Sequence, residues 1–265
     1  MQDFRDNYSL TDENNNLLLA LYSVQADRPE QQDCAGYSLD DDEGLVVVCD
    51  GMGGLNGGKL ASNAVVSELI DKYENDDMDL SPYELFSSTV DDLDSLVYSL
   101  TDKDGDLLGA GSTIASVIIK DNMLNWLSVG DSRIYIKRKN ELLCITKDHN
   151  YKMLLDQRKA DGNISDEEYQ SELREGEGLI SYLGINGLPV IDCNQTSVEL
   201  KQDDEILITT DGLYKMLDEK EIFEVLDNFL NISDILSALD MKTQRASRIK
   251  NKKRDNITMA LVKIK

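Results

Sequence analysis

Four aspartates in this 265-residue chain each end or open a short apolar strand. They stand in Val46-Val47-Val48-Cys49-Asp50-Gly51-Met52-Gly53-Gly54, Leu127-Ser128-Val129-Gly130-Asp131-Ser132-Arg133, Ile208-Thr209-Thr210-Asp211-Gly212 and Arg254-Asp255-Asn256-Ile257-Thr258. A strand fixes where its terminal carboxylate ends up, and the Gly, Ser or Asn that follows lets the backbone turn sharply. Carboxylates delivered to one place repel one another unless hard cations bind between them. The natural reading is a multi-metal site built from oxygen ligands. One strand-Asp-Gly turn is ordinary turn chemistry; four in one chain are a pattern.

Composition narrows the alternatives. The formal charge of −24 argues against bare nucleic acid or an anionic membrane as a partner. It fits a soluble surface, or a preference for basic segments in protein substrates. Cys34, Cys49, Cys144 and Cys193 lie far apart with no Cys-x-x-Cys spacing, which fits a reducing cytosol and offers no zinc site. His149 is the single histidine, so no histidine-rich metal site or His-dependent triad can rest on more than that residue. The N-terminus lacks a basic-then-apolar signal and the apolar runs are too short to span a bilayer, so a cytoplasmic protein is expected.

The elements that must position the aspartates follow from periodicity. Residues 1–16 read as a polar, mobile lead-in. Strands are predicted over Leu17–Val24 and Gly44–Asp50, then a helix over Gly57–Tyr73. Ser81-Pro82-Tyr83-Glu84 is a capping box that opens a second helix to about Leu100. Ser112–Lys120, Met123–Val129 and Arg133–Lys137 form an antiparallel meander on tight links, and Leu142–Ile145 adds a fourth strand. Asp148 to about 190 is polar and Gly-punctuated, with a short helix capped at Ser165, and reads as a flap-like insertion in a single domain spanning 1–265. Strands resume at Thr196–Leu200 and Glu205–Thr210. Helices follow at Asp218–Phe229 and Ser233–Ala246, and Ile257–Ile264 is the closing strand. Meanders separated by helix pairs predict an α+β fold rather than a doubly wound parallel sheet.

With these motifs in order, the chain resembles the metal-dependent protein phosphatases of type 2C in their bacterial form. The resemblance rests on Arg28-x-x-Gln31-Gln32-Asp33, Asp50-Gly51-Met52-Gly53-Gly54, Gly111-Ser112-Thr113, Val129-Gly130-Asp131-Ser132-Arg133, Thr146-Lys147-Asp148-His149, Thr210-Asp211-Gly212 and Asp255-Asn256-Ile257-Thr258. It implies a four-layer α-β-β-α sandwich of two antiparallel sheets flanked by helix pairs. It also implies hydrolysis of phosphoserine and phosphothreonine monoesters in protein substrates, opposing a Ser/Thr kinase. Two Mn²⁺ or Mg²⁺ ions would acidify a bridging water and clamp the phosphoryl oxygens. By resemblance Asp50 bridges the two ions, the Gly51 carbonyl ligates one, and Asp211 with Asp255 holds the other. Asp131 with Asp211 would form a third, weaker site. Asp33 supports the waters and Arg28 grips the phosphate, a task suited to a planar guanidinium.

The chain departs from the family at Met52, where some members carry a His proposed as general acid, and at Gln32, where others have a Glu. A monomer is expected. The rival to an enzyme is a phosphoprotein-binding scaffold with the same fold and little or no turnover, or an acidic interaction protein. A scaffold has no need for four mutually repelling aspartates. Asp102-Lys103-Asp104-Gly105-Asp106 lacks the Gly and Glu positions of an EF-hand and reads as a solvated loop. His149 reads as a structural hydrogen-bonding residue. The basic run Lys242, Arg245, Arg248, Lys250, Lys252, Lys253, Arg254 is either compensation for the acidic surface or a phosphate-attracting rim.

Overall fold

Alternating burial along the strands decides the architecture. In a computed structural model, which describes residues 7–54, 57–75, 78–229 and 231–265, the chain runs β1 (Tyr8–Glu13), β2 (Leu17–Val24), β3 (Asp33–Leu39), β4 (Gly44–Met52), α1 (Gly57–Glu74) and α2 (Pro82–Tyr98). A meander follows: β5 (Gly111–Ser112), β6 (Ile114–Lys120), β7 (Met123–Val129), β8 (Arg133–Arg138) and β9 (Glu141–Cys144). Helices α3 (Tyr151–Ala160) and α4 (Asp166–Glu172) lead to β10 (Asp192–Cys193), β11 (Val198–Glu199) and β12 (Glu205–Thr209). The chain closes with α5 (Asp211–Tyr214), α6 (Glu219–Asn228), α7 (Ile232–Lys250) and β13 (Ile257–Ile264).

One sheet has the order β1-β2-β13-β12-β8-β9, the other β10-β7-β6-β4-β3, with β11 and β5 paired to β7 and β4. Every pairing is antiparallel. Because side chains alternate faces, the central strands each feed two cores. Val46 and Val48 of β4 meet Ala260 and Val262 of β13 between the sheets, with Leu19, Val117 and Ile206. Leu45, Val47 and Cys49 face the other way, against Val65, Leu69, Phe86 and Leu93 of α1 and α2. Leu207 and Leu261 face outward beneath Ile235, Leu236 and Leu239 of α7. The three cores are the interfaces of a four-layer α-β-β-α sandwich.

Local signals act where expected. Ser81, Ser165 and Asp218 each close a full capping box. Asp121 and Asn122 take φ of 52° and 58°, the left-handed pair a two-residue hairpin needs between β6 and β7. In the 102–106 loop, Asp102 Oδ1 accepts from the backbone of Asp104 and Asp106, a closed turn rather than a cation loop.

Four expectations need correction. The lead-in is partly a strand: β1 pairs along the whole of β2, tucking Tyr8 and Leu10 against the central core, while residues 1–6 lie outside the described set. β3 has no β-branched run and passed unnoticed, yet it pairs with β4 over its full length. Tyr151–Ala160 is a helix capped by Asn150, although Leu155 is its one buried side chain. The helix predicted to end at Ala246 continues to Lys250. No described helix is long and apolar enough to cross a membrane.

Candidate metal centre

Antiparallel register brings the motifs to one edge of the sandwich. Val24 pairs with Ile257, Thr209 with both Met259 and Arg133, Asp33 with Asp50, and Ile114 with Val129. The C-terminal ends of β2, β4, β7 and β12 therefore lie beside the N-terminal ends of β3, β6, β8 and β13. Asp50 shares the inward face of β4 with Val46 and Val48, so its carboxylate emerges where the central core runs out. There a cavity of about 830 Å³ opens, lined among others by Arg28, Asp50, Gly51, Asp131, Asp211 and Asp255. Six of the seven residues singled out from sequence thus meet on one wall. Asp33 lies behind it, next to Asp50 on the neighbouring strand and buried.

A hydrogen-bonded frame holds each position. The Asp50 backbone exchanges bonds with Thr113: its N–H donates to Thr113 Oγ1 at 2.9 Å, and its carbonyl accepts the Thr113 N–H at 2.8 Å. Thr113 Oγ1 also pairs with Ser132 Oγ at 2.7 Å, beside Asp131. Tyr214 O–H donates to the Asp131 carbonyl at 2.8 Å, and its ring carries the Arg133 guanidinium at 3.7 Å. Asn256 accepts from Gln32 N–H and donates to the carbonyls of Gln25 and Glu30, fixing the loop that presents Arg28. His149 is 1% exposed and its Nδ1 accepts the Gly130 N–H, which makes it a post under the Asp131 turn.

The carboxylates are crowded. Burial, then Asp33, Asp211, Asp131 and Asp255, push Asp50 far above the usual carboxylate range. Burial raises Asp33 to about 8 despite the Thr210 O–H donated to its Oδ2 at 2.8 Å. Asp131 rises to about 6, through burial and then Asp211. Asp33 Oδ1 and Asp211 Oδ1 are buried without a hydrogen-bond partner among the described residues. Two cations of the chain answer part of this charge. Arg28 pairs with Asp255, and Lys215 Nζ lies 2.5 Å from Asp211 Oδ2 and 3.5 Å from Asp131 Oδ2.

Orphaned buried oxygens, mutual repulsion and a purely oxygen donor set fit hard divalent cations. Among the described residues no group of three or more His, Cys, Asp or Glu side chains is placed to hold a metal ion by itself. An ion here must be shared between neighbouring carboxylates and completed by carbonyl oxygens and solvent, as Mg²⁺ and Mn²⁺ commonly are.

The glycines after Asp50 and Asp211 were expected for sharp turns, but close approach is what requires them. Gly51 is still inside β4, and a Cβ there would stand 2.0 Å from Gly58 O and 2.5 Å from Gln32 O. On Gly212 it would stand 2.0 Å from Asn256 O. Gly51→Ala is expected to destabilise the fold by about 1–3 kcal/mol and to weaken metal binding, because β4 must shift away from α1. Thermal melting with and without Mn²⁺ checks it; an unchanged Tm would mean the strand moves at no cost.

Sequence reasoning missed Lys215 and Glu177, and named Thr113, Thr210 and Asn256 within motifs without giving them a role. Lys215 follows Asp211 at i,i+4, a signal only if the Asp-Gly segment is read as the start of a helix. Glu177 and Leu179 reach the cavity from the polar 148–190 stretch, which is tied back by paired backbone bonds between Ser112 and Leu183 at 3.0 and 2.8 Å.

The sequence and the fold are similar to those of known proteins. The family model described as protein phosphatase 2C matches residues 23–244. The serine/threonine phosphatase stp of Listeria monocytogenes is 28% identical over 239 residues, covering 89% of this chain and 90% of that protein. A serine/threonine phosphatase structure from S. agalactiae superposes with a TM-score of 0.79 at 24% identity, covering 94% of this chain and 100% of that one. The catalytic domain of the serine/threonine protein phosphatase PstP has been solved in complex with two manganese ions. It superposes with a TM-score of 0.72 at 24% identity, covering 94% of this chain and 98% of that one. At these identities the structural likeness is one of fold.

Proposed function

The chain belongs to the protein phosphatase 2C family, and from that premise we propose how its cavity works as a metal-dependent phosphoprotein phosphatase. The protein hydrolyses phosphoserine and phosphothreonine monoesters. The observation that carries this reading is the convergence of Asp50, Asp131, Asp211 and Asp255 on one wall of a cavity with Arg28 beside them. When bound, two Mn²⁺ or Mg²⁺ ions supply a nucleophile at neutral pH and countercharge for the phosphoryl group.

The chain's own residues do the rest. Asp50, the Gly51 carbonyl, Asp211 and Asp255 would hold the ions, Asp50 central among them. Asp33, recessed behind Asp50 with one oxygen unpartnered among the described residues, orients solvent from below. Arg28 holds the substrate phosphate: its side chain is 56% exposed, lines the cavity and pairs with Asp255. A binding scaffold without turnover is the weaker reading, because holding these carboxylates together costs stability unless the ions they bind are used.

Residues 1–265 would act as one catalytic unit, with the 148–190 stretch as a flap over the site and a monomer as the working form. Four free cysteines fit a reducing cytoplasm. Lys252 and Lys253 line an adjoining cavity of about 420 Å³ that shares Arg28 with the first, which supports a phosphate-attracting rim for protein substrates of a Ser/Thr kinase.

Hydrolysis of a generic aryl phosphate and of a phosphothreonyl peptide, with and without Mn²⁺, tests the reading; binding without release of phosphate would overturn it. Arg28→Ala is expected to raise KM for phosphopeptide about tenfold or more, with Arg28→Lys recovering part of the loss. Indistinguishable kinetics in all three proteins would remove Arg28 from the site.

A further inference from the structure

Lys215 is the least expected residue in the cavity. Its ammonium is ringed by three carboxylates: Asp211 Oδ2 at 2.5 Å, Asp131 Oδ2 at 3.5 Å and Glu177 Oε2 at 3.5 Å. The three come from the start of α5, from the β7–β8 link and from the 148–190 stretch. The side chain has little choice of place. Lys215 N–H donates to the Asp211 carbonyl at 3.0 Å, closing the helical turn that stacks the two side chains. On the preceding residue, the Tyr214 hydroxyl holds the Asp131 carbonyl at 2.8 Å. Asp131 and Asp211 are 8% and 13% exposed at their side chains and Lys215 is 30% exposed, so the cluster is poorly screened.

A divalent ion bridging Asp131 and Asp211 must lie about 2.0–2.6 Å from an oxygen of each. That is the ground Nζ already occupies. Ion and ammonium would be like charges within contact distance, with few protein oxygens to offset the repulsion. We infer that Lys215 is a built-in substitute for a third ion, so that this phosphatase holds two divalent cations and one fixed ammonium. The inference rests on the two-metal reading of the site. Lys215 is then a positioning residue: it keeps Asp131 and Asp211 in place and ties the 148–190 stretch, through Glu177, to the floor of the site.

Counting bound Mn²⁺ per chain tests this independently of turnover, by equilibrium dialysis with metal analysis up to millimolar Mn²⁺. The wild-type chain is expected to bind two ions and no third. Lys215→Met and Lys215→Gln should each gain one further, weaker ion, Lys215→Arg should remain at two, and adding Asp131→Asn to Lys215→Met should return the count to two. Circular dichroism establishes that each variant is folded. Three ions on the wild-type chain would overturn the inference even if neither neutral variant folded. So would a count of two in a folded Lys215→Met or Lys215→Gln protein. Fewer than two ions on the wild-type chain would instead overturn the metal-dependent reading, and this inference with it.

Discussion

Asp211→Ala and Asp50→Ala are each expected to cut phosphatase turnover by about a thousandfold or more, with the chain still folded. Both carboxylates face the cavity rather than the hydrophobic layers, so their loss removes ion ligands and leaves the packing of β4 and β12 intact. The effect on stability should run opposite to that of an ordinary polar deletion. In metal-free protein, Asp50→Asn removes one of several mutually repelling carboxylates whose burial already disfavours their charge. Its Tm should rise above that of the metal-free wild type and respond less to Mn²⁺. Phosphate release and paired melting curves check both halves. Near-normal turnover in either alanine variant would take that residue out of the metal centre.

Stripping the metal is the second large perturbation. Turnover should vanish in excess chelator and return with Mn²⁺ or Mg²⁺. Each ion present at a hundredfold over its Kd should stabilise the fold by about 2.7 kcal/mol. The pH dependence carries a sign. Asp33 and Asp131 have folded pKa values of about 8 and about 6, both above the usual carboxylate range. Raised values mean that these groups contribute stability fully only below their unfolded pKa, and lose it as pH rises through the folded values. Metal-free protein should therefore melt at progressively lower temperature from about pH 5 to pH 8. Metal-loaded protein should not, since bound cations favour the ionised carboxylates. Full activity after metal removal would sink the mechanism, and a metal-free Tm that climbs across this range would refute the crowding.

What the linear chain determined by itself is considerable. Strand ends marked by Asp-Gly, Gly-Asp-Ser and Asp-Asn placed the site residues, because a strand that stops at a polar turn leaves its last side chain at the sheet edge. Capping boxes at Ser81, Ser165 and Asp218 located helix starts, because those bonds form within four residues. Elements without such local signals were missed. β1 is a mostly exposed edge strand, β3 holds a glycine and little β-branched residue, and α3 buries one leucine. Each is stabilised by partners distant in sequence.

The tertiary structure alone decided how the charges are shared. Antiparallel register, read from no single segment, put Asp33 beside Asp50 and set β12 between β8 and β13, so that Asp131, Asp211 and Asp255 face one cavity. Asp-Gly looks like a turn in either case. Only the backbone of Gly58 at 2.0 Å from a would-be Cβ tells that Gly51 is needed for close packing. Lys215 carries no role in the linear sequence; α5 forms and folds its ammonium between Asp211, Asp131 and Glu177. Local sequence encodes which groups a strand or helix carries. Which charges neutralise one another depends on distances between chain segments, and those exist only once the layers have packed.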